Sequence, residues 1–77
     1  AYVELGYSYY MLDNSEDAVR NFNQAIRLSP QNANARYYKG LVYLKINDKI
    51  SAQRMVDELK SINSIHAASL QERVNKL

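Results

Sequence analysis

Apolar residues recur along the first stretch of the chain at Tyr2, Leu5, Tyr9 and Leu12, at spacings of three and four. That is the stripe of an amphipathic helix. Asp13 follows where a helix-ending residue must tolerate the left-handed backbone region, as the short polar side chains of Asp and Asn do. Asn14 then reads as an N-cap, with Asp17 three residues on placing negative charge on the first turn of a new helix. Ala18, Phe22, Ala25, Ile26 and Leu28 give a second stripe. Ser29-Pro30 ends it, because proline cannot continue a helix and pushes the residue before it out of the helical region. The plan then recurs, predicting a helix at about 33–46, Asn47 as the left-handed residue, Asp48 as cap and a helix at about 49–62. Ser64 reads as the cap of a last helix over 67–77, whose apolar side is Leu70, Val74 and Leu77.

A shift of 34 residues superimposes the two units. Gly6 falls on Gly40, Tyr9 on Tyr43, Ala18 on Ala52, Arg20 on Arg54, Asp13-Asn14 on Asn47-Asp48, Phe22 on Val56 and Leu28 on Ile62. Small residues meet small ones, aromatics meet aromatics and turns meet turns, so the chain is an internal repeat of helical hairpins. Two antiparallel helices joined by so short a turn pack closely. Gly6 and Gly40 are therefore expected to face Ala18 and Ala52 at the crossings, with Tyr9, Phe22, Tyr43 and Val56 filling the space beside them. Ala25 is expected to leave room for the following hairpin. One hairpin cannot cover both its faces and must stack on a neighbour.

The run Leu5-Gly6-x-x-Tyr9, followed by Ala18, Phe22, Ala25 and Pro30, resembles the tetratricopeptide repeat, with Tyr2 where that family usually has Trp. The second repeat matches at Gly40, Tyr43 and Ala52 and departs at Arg36, Lys39, Val56, Leu59 and Ser64. The resemblance implies an all-α fold of five helices, antiparallel helix-turn-helix repeats in a right-handed α-solenoid. Residues 1–32 are expected to be the first repeat, 33–64 the second and 65–77 a capping helix, all in one domain. In the 34-residue register Val74 falls on Gly6 and Gly40, where valine would obstruct a partner helix; this marks the last helix as a cap. Ends of this form resemble the C-terminal ends of bacterial tetratricopeptide proteins.

Members of the family bind partners in the groove lined by the first helix of each repeat. The resemblance carries those positions to Val3, Tyr7, Tyr10 and Met11, to Asn34, Tyr37, Leu41, Leu44 and Lys45, and to Gln71 and Asn75 on the last helix. A chaperone-tail clamp of Lys, Asn and Arg side chains is replaced here by Val3, Tyr7, Tyr38, Gln71 and Asn75. The resemblance thus implies a protein or peptide partner in a tyrosine-rich, apolar groove, suited to an amphipathic helix or an extended peptide. The alternative is a structural segment of a longer solenoid, or a unit that self-associates through an open N-terminal side.

Composition narrows the remaining classes. The chain has 77 residues, 47% of them hydrophobic, with two glycines and one proline, a helix-rich make-up for a size at which a single core is marginal. It lacks cysteine, which leaves no disulfide and no thiolate metal site and fits a cytoplasmic or a periplasmic setting equally. Formal charge is +2, too little to argue for nucleic acid. Residues 1–35 carry two arginines against four acids, and the rest eight basic residues against four acids, so the basic excess lies in the second half. No apolar run reaches the roughly 18 residues of a membrane span. The start inside a helical pattern, without Met, reads as a piece of a longer protein.

Catalysis has little to stand on. His66 is the single histidine, in a turn, and Asp57-Glu58 are helix neighbours that point apart. Asp13 to Asp17 lacks the central glycine and the ligand spacing of a calcium loop, and capping explains it. No glycine-rich phosphate loop occurs. The expectation is a non-catalytic scaffold without cofactor.

Overall fold

The computed structural model describes residues 1–62 and 64–76. It contains α1 (Tyr2–Met11), α2 (Ser15–Leu28), α3 (Ala33–Lys45), α4 (Lys49–Ser61) and α5 (His66–Asn75). Among the described residues there is no strand. The fold is the all-helical repeat expected from the sequence, two hairpins followed by a fifth helix. Leu77, the last member of the expected α5 stripe, lies outside the described residues.

Local chemistry sets the boundaries. Asp13 and Asn47 both take the left-handed conformation, at φ 62° and 60°. Each lets the next residue's N–H reach back five positions, Asn14 to the Tyr9 carbonyl at 2.9 Å and Asp48 to the Tyr43 carbonyl at 2.8 Å. The caps then start the next helices: the Asn14, Asn32 and Asp48 side chains accept from the Asp17, Ala35 and Ser51 amides. Asn47→Gly removes the Cβ cost of this conformation, and denaturant unfolding should show a gain of about 0.5 kcal/mol.

The helices form two layers, α1, α3 and α5 in one and α2 and α4 in the other. The shortest dimension of the Cα trace is 15 Å, consistent with two helix layers at the usual 8–10 Å spacing. Neighbours in the first layer touch, whereas α2 and α4 share no contact among the described residues. The array therefore curves with α1, α3 and α5 on its inner side.

Two apolar clusters hold it together. The first joins Ala18, Phe22 and Ala25 of α2 to Ala35 and Val42 of α3, with Val3, Tyr9, Tyr10 and Tyr38 packed around them. The second joins Ala52, Met55, Val56 and Leu59 of α4 to Ala67, Leu70 and Val74 of α5, with Tyr37, Tyr43 and Leu44 alongside. Helix α3 serves both clusters from opposite sides, which couples the hairpins. The α1 stripe is less buried than its periodicity suggests. Tyr2, Leu5 and Leu12 are exposed, as is Leu28 of α2 at 72%, because only one side of α1 meets α2 and α3. Tyr9 and Tyr43 are half-buried.

The glycines make room for different partners than Ala18 and Ala52. A Cβ on Gly6 would lie 2.7 Å from the Phe22 ring, and one on Gly40 would lie 2.5 Å from a Leu70 methyl. In the first hairpin Phe22 fills the crossing from within. In the second, Val56 stands at the Phe22 position and is smaller, and Leu70 reaches in from α5.

The register of α5 also departs from the 34-residue repeat. Its fully inward residues Ala67, Leu70 and Val74 lie 32 positions beyond Ala35, Tyr38 and Val42 of α3. Val74 thus takes the place of Val42 and is 0% exposed, rather than standing where Gly6 and Gly40 do. Glu72 occupies that glycine-equivalent position and is exposed. The residue at 64 differs from its counterpart in the first repeat as well. Pro30 has no N–H, whereas Ser64, its counterpart, donates to the Leu59 carbonyl at 3.0 Å, the same five-residue closure that ends α1 and α3. Ser64 Oγ accepts from the His66 amide at 3.1 Å, but the N-cap of α5 is Ile65, without a side-chain cap bond, so Ser64 is not the cap expected from the sequence.

Candidate binding groove

The inner face carries a chain of aromatic rings. Tyr10 and Tyr7 of α1 lie 5.9 Å apart, centroid to centroid. Tyr7 meets Tyr38 of α3 at 5.2 Å, Tyr38 meets Tyr37 at 5.8 Å, and Tyr37 meets His66 of α5 at 5.1 Å. The interplanar angles of 33–59° make each pair tilted rather than a face-to-face sandwich, and the centroid spacings are those of interacting aromatic pairs. Phe22 stacks beneath Tyr38 at 6.0 Å and ties the row to the core. Tyr7 is the most open of these rings, 42% exposed.

The other expected groove positions divide by environment. Met11 and Asn34 are exposed, and Val3, Tyr10, Leu41 and Leu44 are half-buried with one side against the two clusters. Lys45 is tied down. Its ammonium lies 2.7 Å from the Asp13 carboxylate, donates to the Tyr10 carbonyl at 2.8 Å and sits 4.3 Å above the Tyr10 ring. It thus neutralises the negative C-terminal end of α1 and braces α1 against α3.

Gln71 and Asn75 do not share this face. The Gln71 amide exchanges hydrogen bonds with Gln53 of α4 at 2.8 and 2.9 Å, and donates to Asn75 at 2.9 Å. They turn toward the α4 side because of the two-residue register change. The same change brings Ser69, Glu72, Arg73 and Lys76 opposite Tyr37 and Leu44, lining a cleft of about 490 Å³ between α5 and α3. Sequence reasoning missed these four, together with His66, and named Tyr38 only at a position of the absent chaperone clamp. The available signal was the serine in place of proline at 64.

The outer face has a different electrostatic character. Arg36 pairs with Glu58 at 3.0 Å and donates to the Pro30 carbonyl, joining α3, α4 and the α2–α3 link where the first repeat has Tyr2. Burial holds the Lys39 ammonium below its ordinary pKa, with Glu58 partly opposing. Burial, reinforced by Asp48, raises the Tyr43 hydroxyl. These groups support the hairpin and lie away from the aromatic row.

Among the described residues no three His, Cys, Asp or Glu side chains gather as a metal site, and no helix is long and apolar enough to cross a membrane.

Comparison with protein families supplies the identification. A family model described as the TPR repeat matches residues 6–47, which is 42 of the 77 residues. The chain belongs to the TPR repeat family. No curated protein and no solved structure matches it. The match to the TPR model runs from the Gly6 crossing through the Asn47 turn, the part whose residues fit the repeat best. TPR repeats are, as a family, protein-interaction modules and typically non-catalytic.

Proposed function

We propose that this TPR chain is a non-catalytic scaffold that binds a peptide or helix of another protein along its inner face. Residues 1–32 and 33–64 act as two repeats and 65–77 as their cap, in one binding unit. The observation that carries the reading is the aromatic row from Tyr10 to His66, with Tyr7 open to solvent. Tyrosine offers large contact area and a hydroxyl while losing little conformational entropy on binding. Val3, Tyr7, Tyr10, Met11, Asn34, Tyr37, Leu41 and Leu44 supply the surface, and Lys45 fixes its α1 side.

Tyr7→Ala should weaken a bound peptide by about 1–2 kcal/mol, some five- to thirtyfold, measured by fluorescence anisotropy. The circular dichroism spectrum should stay unchanged, because Tyr7 is exposed and outside both clusters. Unchanged affinity would remove Tyr7 from the contact surface; lost helicity would make it a structural residue.

A second reading, self-association through the N-terminal side, draws on the exposed Tyr2, Leu5 and Leu28. Against it stand Glu4 and Ser8, the counterparts of Tyr38 and Val42, whose side of α3 packs on the first hairpin. Sedimentation at high concentration separates the two: a clean monomer removes the second reading.

A further inference from the structure

We infer that the segment this groove accepts is acidic, with an aliphatic or aromatic side chain seated between Tyr37 and Leu44 and a neighbouring carboxylate on Arg73 and Lys76. This rests on the peptide-groove reading and specifies its partner. Arg73 in the last turn of α5 and Lys76, its C-cap residue three positions on, both line the cleft whose opposite wall is Tyr37 and Leu44. An apolar floor and a cationic wall within one cleft fit a ligand carrying both characters in adjacent positions.

Charge bookkeeping points the same way. Arg36 is paired with Glu58, Lys45 with Asp13, and Arg20 with Glu16 and Asp17. Among the described residues Arg73 and Lys76 have no ion-pair partner within 4 Å, as Arg27, Lys39, Lys49, Arg54 and Lys60 have none, and of these seven only Arg73 and Lys76 line this cleft. Glu72 shares the cleft and leaves it one positive charge in excess; its carboxylate is placed to accept a backbone N–H of the same ligand. The competing explanation is that cations in the last turn of α5 only answer the helix dipole. That account predicts an effect on helix stability and none on ligand choice.

Selection from a random peptide library displayed on phage decides, using the wild-type chain and the R73E/K76E variant. Both side chains are exposed, and circular dichroism checks that the variant folds. The wild-type pool should be enriched in Asp or Glu within two residues of Leu, Ile, Phe or Trp, and the variant pool should lose that preference or turn to Lys and Arg. A synthetic copy of a selected acidic peptide should bind the variant about tenfold more weakly, and its wild-type affinity should fall as salt is raised. Selected peptides without acidic enrichment, or acidic peptides bound equally by R73E/K76E, overturn the inference. If such peptides still lose affinity with Tyr7→Ala, the groove itself stands and only the acidic preference fails. No selected peptide at all, or peptides indifferent to both changes, overturns the groove reading and this one with it.

Discussion

Phe22→Ala is expected to remove about 3–5 kcal/mol of stability, the largest loss available from any single side chain here. Phe22 is 0% exposed, fills the crossing of α1 and α2 and carries Tyr38 of α3 on its face. Truncation would leave a void between Gly6, Ala18 and Tyr38, three positions held by backbone packing or by a bulky ring. Neither Gly6 nor Ala18 has a side chain long enough to refill it. A chain of 77 residues at the usual 0.05–0.15 kcal/mol per residue holds about 4–12 kcal/mol in all, so the variant loses a quarter or more of its stability. Urea unfolding followed at 222 nm measures this. A loss below about 1 kcal/mol would mean that the α2–α3 cluster does not hold the first hairpin in place. Tyr7 should lose its near-ultraviolet signal in the same variant, since its neighbour Tyr38 rests on Phe22.

Leu70→Ala is expected to cost about 2–5 kcal/mol and to release α5 from the second hairpin. Leu70 is fully buried, and its methyl groups occupy the space over Gly40. The prediction extends to a double-mutant cycle. Gly40→Ala alone should destabilise, because the new Cβ meets a Leu70 methyl at 2.5 Å inside a packed cluster, an overpacking cost of about 1–3 kcal/mol. The helix-propensity gain of about 1 kcal/mol for replacing glycine offsets part of that. With Leu70 already truncated, Gly40→Ala should become neutral or stabilising, since the Cβ then fills space instead of contesting it. The coupling between the two changes should reach about 1 kcal/mol or more. Additive effects would show that α5 does not insert at Gly40. Because α5 forms one wall of the cleft, Leu70→Ala should also weaken any ligand that uses Arg73 and Lys76, even where the first hairpin stays folded.

The hairpins were legible because their determinants are local. Asp13 and Asn47 had to be left-handed for the chain to turn in so few residues, and the caps Asn14 and Asp48 follow from hydrogen-bond donors that every helix start leaves open. The 34-residue match then placed the small residues correctly at Gly6 and Gly40. What they face was not legible, because it depends on which neighbour is bulky: Phe22 from the same hairpin in one case, Leu70 from the next element in the other. Tyr7 and Tyr37 of the expected groove set both contact Tyr38, and Tyr37 and Leu44 line one cleft. Tyr38, one residue from Tyr37, was placed by the resemblance only at a position of the absent clamp, not as a link between rings. Its ring bridges Tyr7 and Tyr37 only because the curvature of the first layer brings α1 and α3 together.

The sequence by itself determined five helices, their turns and caps, and the family to which the repeat belongs, since all of these rest on interactions within about five residues or on a repeated spacing. Only the tertiary structure decided the setting of α5. Whether the amide of Ser64 closes on Leu59, and whether Leu70 then enters the gap that Val56 leaves over Gly40, is settled by packing between helices that are far apart along the chain. That packing turned Gln71 and Asn75 toward α4 and brought Arg73 and Lys76 into the cleft opposite Tyr37 and Leu44, because a helix rotated by two residues presents a different side to its neighbour.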